Sequence, residues 1–232
     1  MNELLGCKYK VKLIESPNLD EKMNELNFYF VHKTYLCNSK ISKMKIAVFV
    51  SGSGSNLQNI IDAIQSGKLK GIEIAMVMAD RDCYAIERAL NYDIPTFLLD
   101  NRSTFSEDAD HNLEGENIDL IVLAGFLSIL SKDFVEKWQG KIINIHPALL
   151  PKYGGKGMYG KHVHQAVLNA GDQVSGATVH YVTPGIDEGE IILQGEFKIE
   201  QGDQVADLQR KVAEVEKEIL IKSLSQFENL KI

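Results

Sequence analysis

The sequence predicts a doubly wound α/β fold: a mostly parallel sheet with helices on both faces, Rossmann-like in its first half, with antiparallel strands added in the C-terminal part. Three observations lead to it. From Lys45 onward, apolar β-branched runs alternate with amphipathic segments, and strands of nearly continuous apolar sequence are what a sheet covered on both faces requires. A glycine-rich turn, "SGSGSN", follows the first of those runs, where doubly wound folds place a ligand loop. After Pro151 the alternation gives way to two strand-like runs in succession, "GATVHYV" and "EIILQGEFKI", which suits strands added antiparallel to the sheet.

In chain order, "KIAVFV" is the first strand and "SNLQNIIDAIQSGK" the helix after it. "IEIAMVMA", "YAIERALNYD" and "IPTFLLD" continue the strand, helix, strand rhythm. A polar stretch over 103–118 is a helix weakened by Asn112 and Gly115. "IDLIVLAGF", "SKDFVEKWQ" and "KIINIHP" supply another strand, helix and strand. A glycine-rich loop then leads to a helix near 159–169, and a charged helix near 203–227 closes the chain.

With 232 residues, 44% of them hydrophobic, the chain is long enough for one substantial domain with its own core. A net charge of -7 argues against a broad nucleic-acid or membrane surface while leaving room for a local basic pocket that holds a small phosphate. Cys7, Cys37 and Cys83 are odd in number and widely spaced, which indicates reduced thiols rather than a disulfide framework or a zinc site. No apolar run reaches the length of a membrane span and no secretory leader is legible, so the expected location is the cytoplasm. Residues 1–44 lack a clear period and are set apart as an N-terminal extension, with the domain over 45–232. The extension reads equally as an upstream stretch before a natural start at Met44 and as an appended element that pairs with a sheet edge or a partner.

Gly52 and Gly54 stand between a buried strand and a helix that opens near Ser55 or Asn56. Glycines let backbone amides turn inward, and a helix N-terminus adds partial positive charge, so the turn suits a phosphate. It lacks the third glycine of the dinucleotide fingerprint and the lysine of a P-loop. Asp80, after the second strand, stands where a ribose-binding carboxylate would. The plain alternative is a tight strand-to-helix connection with a Ser or Asn cap.

Asn144 and His146, two apart at the end of a strand, project to one side, and Pro147 stops that strand. The carboxyl edge of an open parallel sheet is where ligands bind, so this pair and the glycine turn are expected to share a crevice. An asparagine amide donates to a developing oxyanion, and a histidine donates or accepts a proton, which together suit attack on a carbonyl. "VTPGIDEGEIILQ" offers Asp187, Glu188 and Glu190 as the acid that charges the imidazole. The structural alternative for Asn144 and His146 is a strand-end pair that caps the following turn. His162 and His164 are expected on a helix surface and His180 as a satisfied, half-buried histidine. The spacing of 162 and 164 is not that of two helical metal ligands, so no metal is expected.

At this point "VSGSGSNLQ", "LAGFLSIL", "INIHPALLPKY", "GATVHYVTPGIDEGEIILQ" and "VAEVEKEIL", in that order, resemble the phosphoribosylglycinamide formyltransferases of the folate-dependent formyltransferase family. The resemblance runs from Lys45 to the C-terminus, and its most specific part is N-I-H-P-x-L-L-P with the later D-E-G turn. It implies a formyltransferase-like fold and transfer of the formyl group of 10-formyltetrahydrofolate, as cosubstrate, to the amine of glycinamide ribonucleotide in purine biosynthesis. It implies Asn144, His146 and Asp187 as the catalytic trio, and Gly54, Ser55, Asn56 and Glu216 as binders of the ribonucleotide. Leu127, Ser128, Ile129 and Leu130, with Asn144 and the loop 182–187, are implied as the folate pocket. A cis Leu150–Pro151 bond is implied too. The partners are then these small molecules, with no nucleic acid and no membrane, in a monomer or homodimer.

Two departures fall on the folate side. An arginine usual after the G-F motif is Ser128 here, and "STFSEDAD" occupies the region of a second one. The loop "KYGGKGMYGKHVH" is longer than in the shortest relatives, and its Lys156 reads as solvent-exposed. A formyltetrahydrofolate hydrolase shares the Asn/His/Asp core, but the phosphate-suited "SGSGSN" turn favours the transferase. A non-catalytic nucleotide- or folate-binding module would fit the two missing arginines, and retention of all three catalytic-type residues weighs against it. Methionyl-tRNA formyltransferase calls for an RNA-binding domain that this sequence does not show, and a dinucleotide oxidoreductase for the absent third glycine.

Overall fold

The computed structural model describes residues 43–230; the expected N-terminal extension lies outside them up to position 42. The elements run β1 (Met44–Val50), α1 (Ser55–Gln65), β2 (Ile72–Ala79), α2 (Tyr84–Leu90), β3 (Thr96–Leu98), α3 (Phe105–Leu113), β4 (Leu120–Leu123), α4 (Lys132–Lys137), β5 (Ile142–His146), α5 (Lys161–Ala170), β6 (Val174–Tyr181), β7 (Ile191–Lys198) and α6 (Val205–Leu230). They build a seven-stranded sheet in the order β3-β2-β1-β4-β5-β6-β7. The first five strands are parallel, and β6 and β7 add antiparallel at one edge. The predicted fold class holds. The weakened helix of the polar stretch forms as α3, and "IPTFLLD" yields only three residues of strand.

Alternation along the strands divides the core between the two faces. Ile46, Val48 and Val50 of β1, with Ile143 and Ile145 of β5, pack beneath α1 and α6, while Ala47 and Phe49 pack with α3 and α4 on the other face. Phe49, fully buried, meets the rings of Phe105 and Phe126, each at 5.6 Å between centroids and near edge-to-face. Gly195 of β7 is needed for space, since a Cβ there would lie 2.6 Å from Val215 Cγ1 of α6. Its absence lets α6 lie flat on the antiparallel edge.

The loops that leave the carboxyl ends of β1, β2 and β4 therefore emerge side by side, and β5 adjoins β4. Phe49→Ala removes the centre of the aromatic cluster beneath them. It is expected to cost about 3–5 kcal/mol, read as a lower urea midpoint at unchanged m-value.

Candidate active site

The glycine loop sits against α2. Gly54 adopts φ 72°, in the left-handed region, and a Cβ there would meet Ala85 Cβ at 2.7 Å, so conformation and space both call for glycine. Its three successive carbonyls are taken by protein donors: Ala85 N–H on Gly52, Arg88 Nε–H on Ser53 at 2.8 Å, and Gln58 N–H on Gly54. The start of α1 has no side-chain cap and no acidic residue in its first turn, so its first amides have no intrahelical partner and remain open to an anion. Ser55 is exposed there and Asn56 buried. Asn56 Nδ2 donates to Glu216 Oε2 of α6 at 3.4 Å, across 160 residues of sequence. Burial pushes the Glu216 carboxyl up to about 7, against the opposing effect of that hydrogen bond.

Asn144 and His146 leave the same face of β5, and β6 places His180 opposite Asn144. His180 Nδ1 lies 2.8 Å from the carbonyl of Tyr181, which can only accept, so Nδ1 carries the proton and Nε2 offers a lone pair. Asn144 Nδ2 donates one hydrogen to that lone pair at 3.1 Å and keeps its second. Burial lowers the His180 pKa, outweighing the Tyr181 carbonyl and the charge of Asp187, which raise it. His180 thus serves as a neutral acceptor that orients the amide.

His146 Nε2 donates to the carbonyl of Tyr153 at 2.8 Å, and its Nδ1 faces Asp187 Oδ2 at 3.6 Å. Asp187 also accepts from the Gly155 amide at 2.9 Å and lies 3.7 Å from His180 Nε2. Tyr153 and Asp187, the two residues that bracket the imidazole, both hold left-handed backbone at φ 57° and 59°. Each costs roughly 1–3 kcal/mol in a non-glycine residue, strain of the kind that collects at functional sites. The Leu150–Pro151 bond is cis.

The trio expected from the sequence therefore converges at the carboxyl end of β5, where Asn144 is level with Leu123, the last residue of β4, and His146 ends its strand. Because β6 is antiparallel, its last residues lie beside the start of β5, and the β6–β7 loop carries Asp187 back to His146. His180, expected as a bland half-buried histidine, is 2% exposed and belongs to the site. Only the strand register places it there. His164, expected on a helix surface, is buried with Nδ1 unpartnered and its pKa lowered by burial, because α5 turns its Val163, His164 and Val167 side inward. Among the expected folate-side residues, Leu127 and Ile129 are 47% and 72% exposed, Ser128 and Leu130 are half-buried, and Ile186 on the 182–187 loop is 40% exposed. These two loops therefore hold aliphatic side chains open to solvent. Asp80 does not await a ribose: Arg81 and Ser128 already hold its carboxylate. Lys156 is exposed, as expected.

Residues 44–224 match the model of the Formyl transferase family. The chain is 40% identical over 174 residues to phosphoribosylglycinamide formyltransferase of Escherichia coli K12, covering 73% of this chain and 80% of that protein. It is 38% identical over 188 residues to the trifunctional purine biosynthetic protein adenosine-3 of Bos taurus, covering 78% of this chain and 18% of that much longer protein. Among solved structures, glycinamide ribonucleotide transformylase 1 from Symbiobacterium toebii superposes with a TM-score of 0.75 at 34% identity, covering 81% of this chain and 89% of that one.

The Glu216 carboxyl gives a pH prediction. Its folded value of about 7 lies above the ordinary 4.5, so the folded state holds the proton longer than the unfolded chain does. The stability it contributes is complete below pH 4.5 and is lost as pH rises to 7, by at most about 3 kcal/mol. Urea midpoints compared at pH 5 and pH 8 should fall for the native chain and fall distinctly less for Glu216→Gln.

Proposed function

The chain belongs to the formyl transferase family, and from that premise we propose that it moves the formyl group of 10-formyltetrahydrofolate to the amine of glycinamide ribonucleotide, a step of purine biosynthesis. The observation that carries this reading is the convergence of Asn144, His146 and Asp187 within the stretch the family model matches.

The ribonucleotide phosphate binds the open amides at Gly54, Ser55 and Asn56, and Glu216, tied to Asn56, meets the rest of that substrate. The formyl-folate lies on Leu127, Ser128, Ile129 and Leu130 with its formyl group toward Asn144. The amine attacks the formyl carbon, the C=O π pair moves to oxygen, and the tetrahedral oxyanion takes the free N–H of Asn144. His146, its Nδ1 toward the Asp187 carboxylate, is the second group that stabilises this oxyanion. Collapse returns the electron pair to the carbonyl and breaks the bond to N10, while the proton lost by the amine passes to N10 through water ordered by Asp187. Holding both substrates in one crevice supplies much of the acceleration. The chain works as a monomer or a homodimer, and both substrates are small molecules of the cytoplasm. Among the described residues no helix is long and apolar enough to cross a membrane.

Asn144→Ala removes the one free donor and is expected to lower kcat by about 10²–10³-fold, followed as the absorbance change on deformylation in the presence of ribonucleotide. Near-normal turnover would end the assignment. His180→Ala leaves the amide in place without its orienting acceptor, and a fall in kcat of about fivefold is expected, the worth of one ordinary hydrogen bond.

A further inference from the structure

One buried charged group at the crevice is left over by this chemistry. Asp80, directly after β2, is 1% exposed, and such a carboxylate is retained only when its oxygens are well paired. Arg81 Nε donates to Oδ1 at 2.9 Å and Nη2 to Oδ2 at 2.7 Å. Ser128 Oγ donates to Oδ2 at 2.5 Å, and Ser51 adds a further side-chain hydrogen bond. Burial works to raise the carboxyl, yet these donors outweigh it and hold it below its ordinary value, so it stays an ionised acceptor.

The partners come from three neighbouring loops. Ser51 follows β1 and opens the glycine loop; Ser128 belongs to the loop after β4. Ser51, giving its hydroxyl proton to Asp80, accepts the amide of Leu127 at 2.8 Å. Two consecutive residues of the 127–130 wall thus end on one carboxylate, Leu127 by its backbone through Ser51 and Ser128 by its own hydroxyl. Phe126 and Leu130 pack on the core at either end of the wall, but Leu127 and Ile129 between them hold their side chains out in solvent, so the stretch they form is held by these hydrogen bonds.

We propose that Asp80 is a positioning residue for formyl transfer: through Ser51 and Ser128 it fixes the 127–130 wall against the glycine loop and thereby sets affinity for the formyl-folate. The proposal rests on the folate reading of that wall. Asp80→Asn keeps the shape but turns one acceptor into a donor that faces Arg81 or Ser128. It raises KM for 10-formyltetrahydrofolate about tenfold, the scale of a lost hydrogen bond to a charged group, while kcat and KM for the ribonucleotide stay within about twofold. Ser51→Ala, which cuts the Leu127 branch alone, raises the same KM by about threefold. The double variant is no worse than Asp80→Asn plus a small remainder, because the two residues act in one chain of hydrogen bonds.

The test pairs these kinetics with calorimetric titration of tetrahydrofolate into the native chain and both variants. Binding by the native chain, weakened about tenfold in Asp80→Asn with a KM rise of the same size, is the expected result. Equal binding by native chain and variants overturns the proposal and leaves the folate reading intact. A fall in kcat with KM unchanged also overturns it, since Asp80 would then support the fold and not the wall. No binding by the native chain removes the folate reading and the proposal together.

Discussion

The site depends on one strand pairing, β6 against β5. In a parallel sheet the strand after β5 would enter from the amino edge and send its loop away over the carboxyl edge. Running the other way, β6 sets His180 opposite Asn144 and releases its following loop beside the start of β5, free to return Asp187 across the face to His146. A slip of one residue would turn His180 to the other face, beneath α6, and leave the Asn144 amide without an acceptor. The register is secured by the polar staple around Thr178, which is fully buried. Its hydroxyl donates to the Ala148 carbonyl at 2.7 Å and accepts from the Leu150 amide and from Gln194 of β7. The turn after β5 is thereby tied to both antiparallel strands.

Two polar clusters of opposite character flank the crevice. Around His146 the groups are held by strained backbone at Tyr153 and Asp187 and by a neutral, buried His180, so the amide and imidazole are oriented before any substrate arrives. Around Asp80 the charge is permanent and fully paired, a fixed point from which two loops are hung. The glycine loop lies between them, with its carbonyls occupied by Ala85 and Arg88 of α2 and Gln58 of α1 and its amides open. Preorganised donors are effective because they need no reorganisation as charge develops.

Much of this was legible in the sequence. Apolar runs separated by amphipathic segments specify a covered parallel sheet, and the turn at Gly52 and Gly54 specifies a loop at its carboxyl edge. The spacing of Asn144 and His146 places them together, and the family resemblance supplies Asp187. What could not be read depends on register and on long-range closure. His180 becomes a site residue only when paired with Asn144, and Asp80 resembles a ribose binder until Ser128, 48 residues away, is brought to it. His164 reads as surface because histidine is polar, and only the packing of α5 on α6 shows that it shares the inward side with Val163 and Val167.

The central claim is that this crevice takes two substrates and passes a formyl group between them. The most direct measurement is the mass of the ribonucleotide after the native chain is mixed with 10-formyltetrahydrofolate and glycinamide ribonucleotide, with formate followed in a parallel mixture that lacks the ribonucleotide. The account predicts a ribonucleotide heavier by one formyl group and little formate without it. Formate released at the same rate in both mixtures, with the ribonucleotide unchanged, would contradict it.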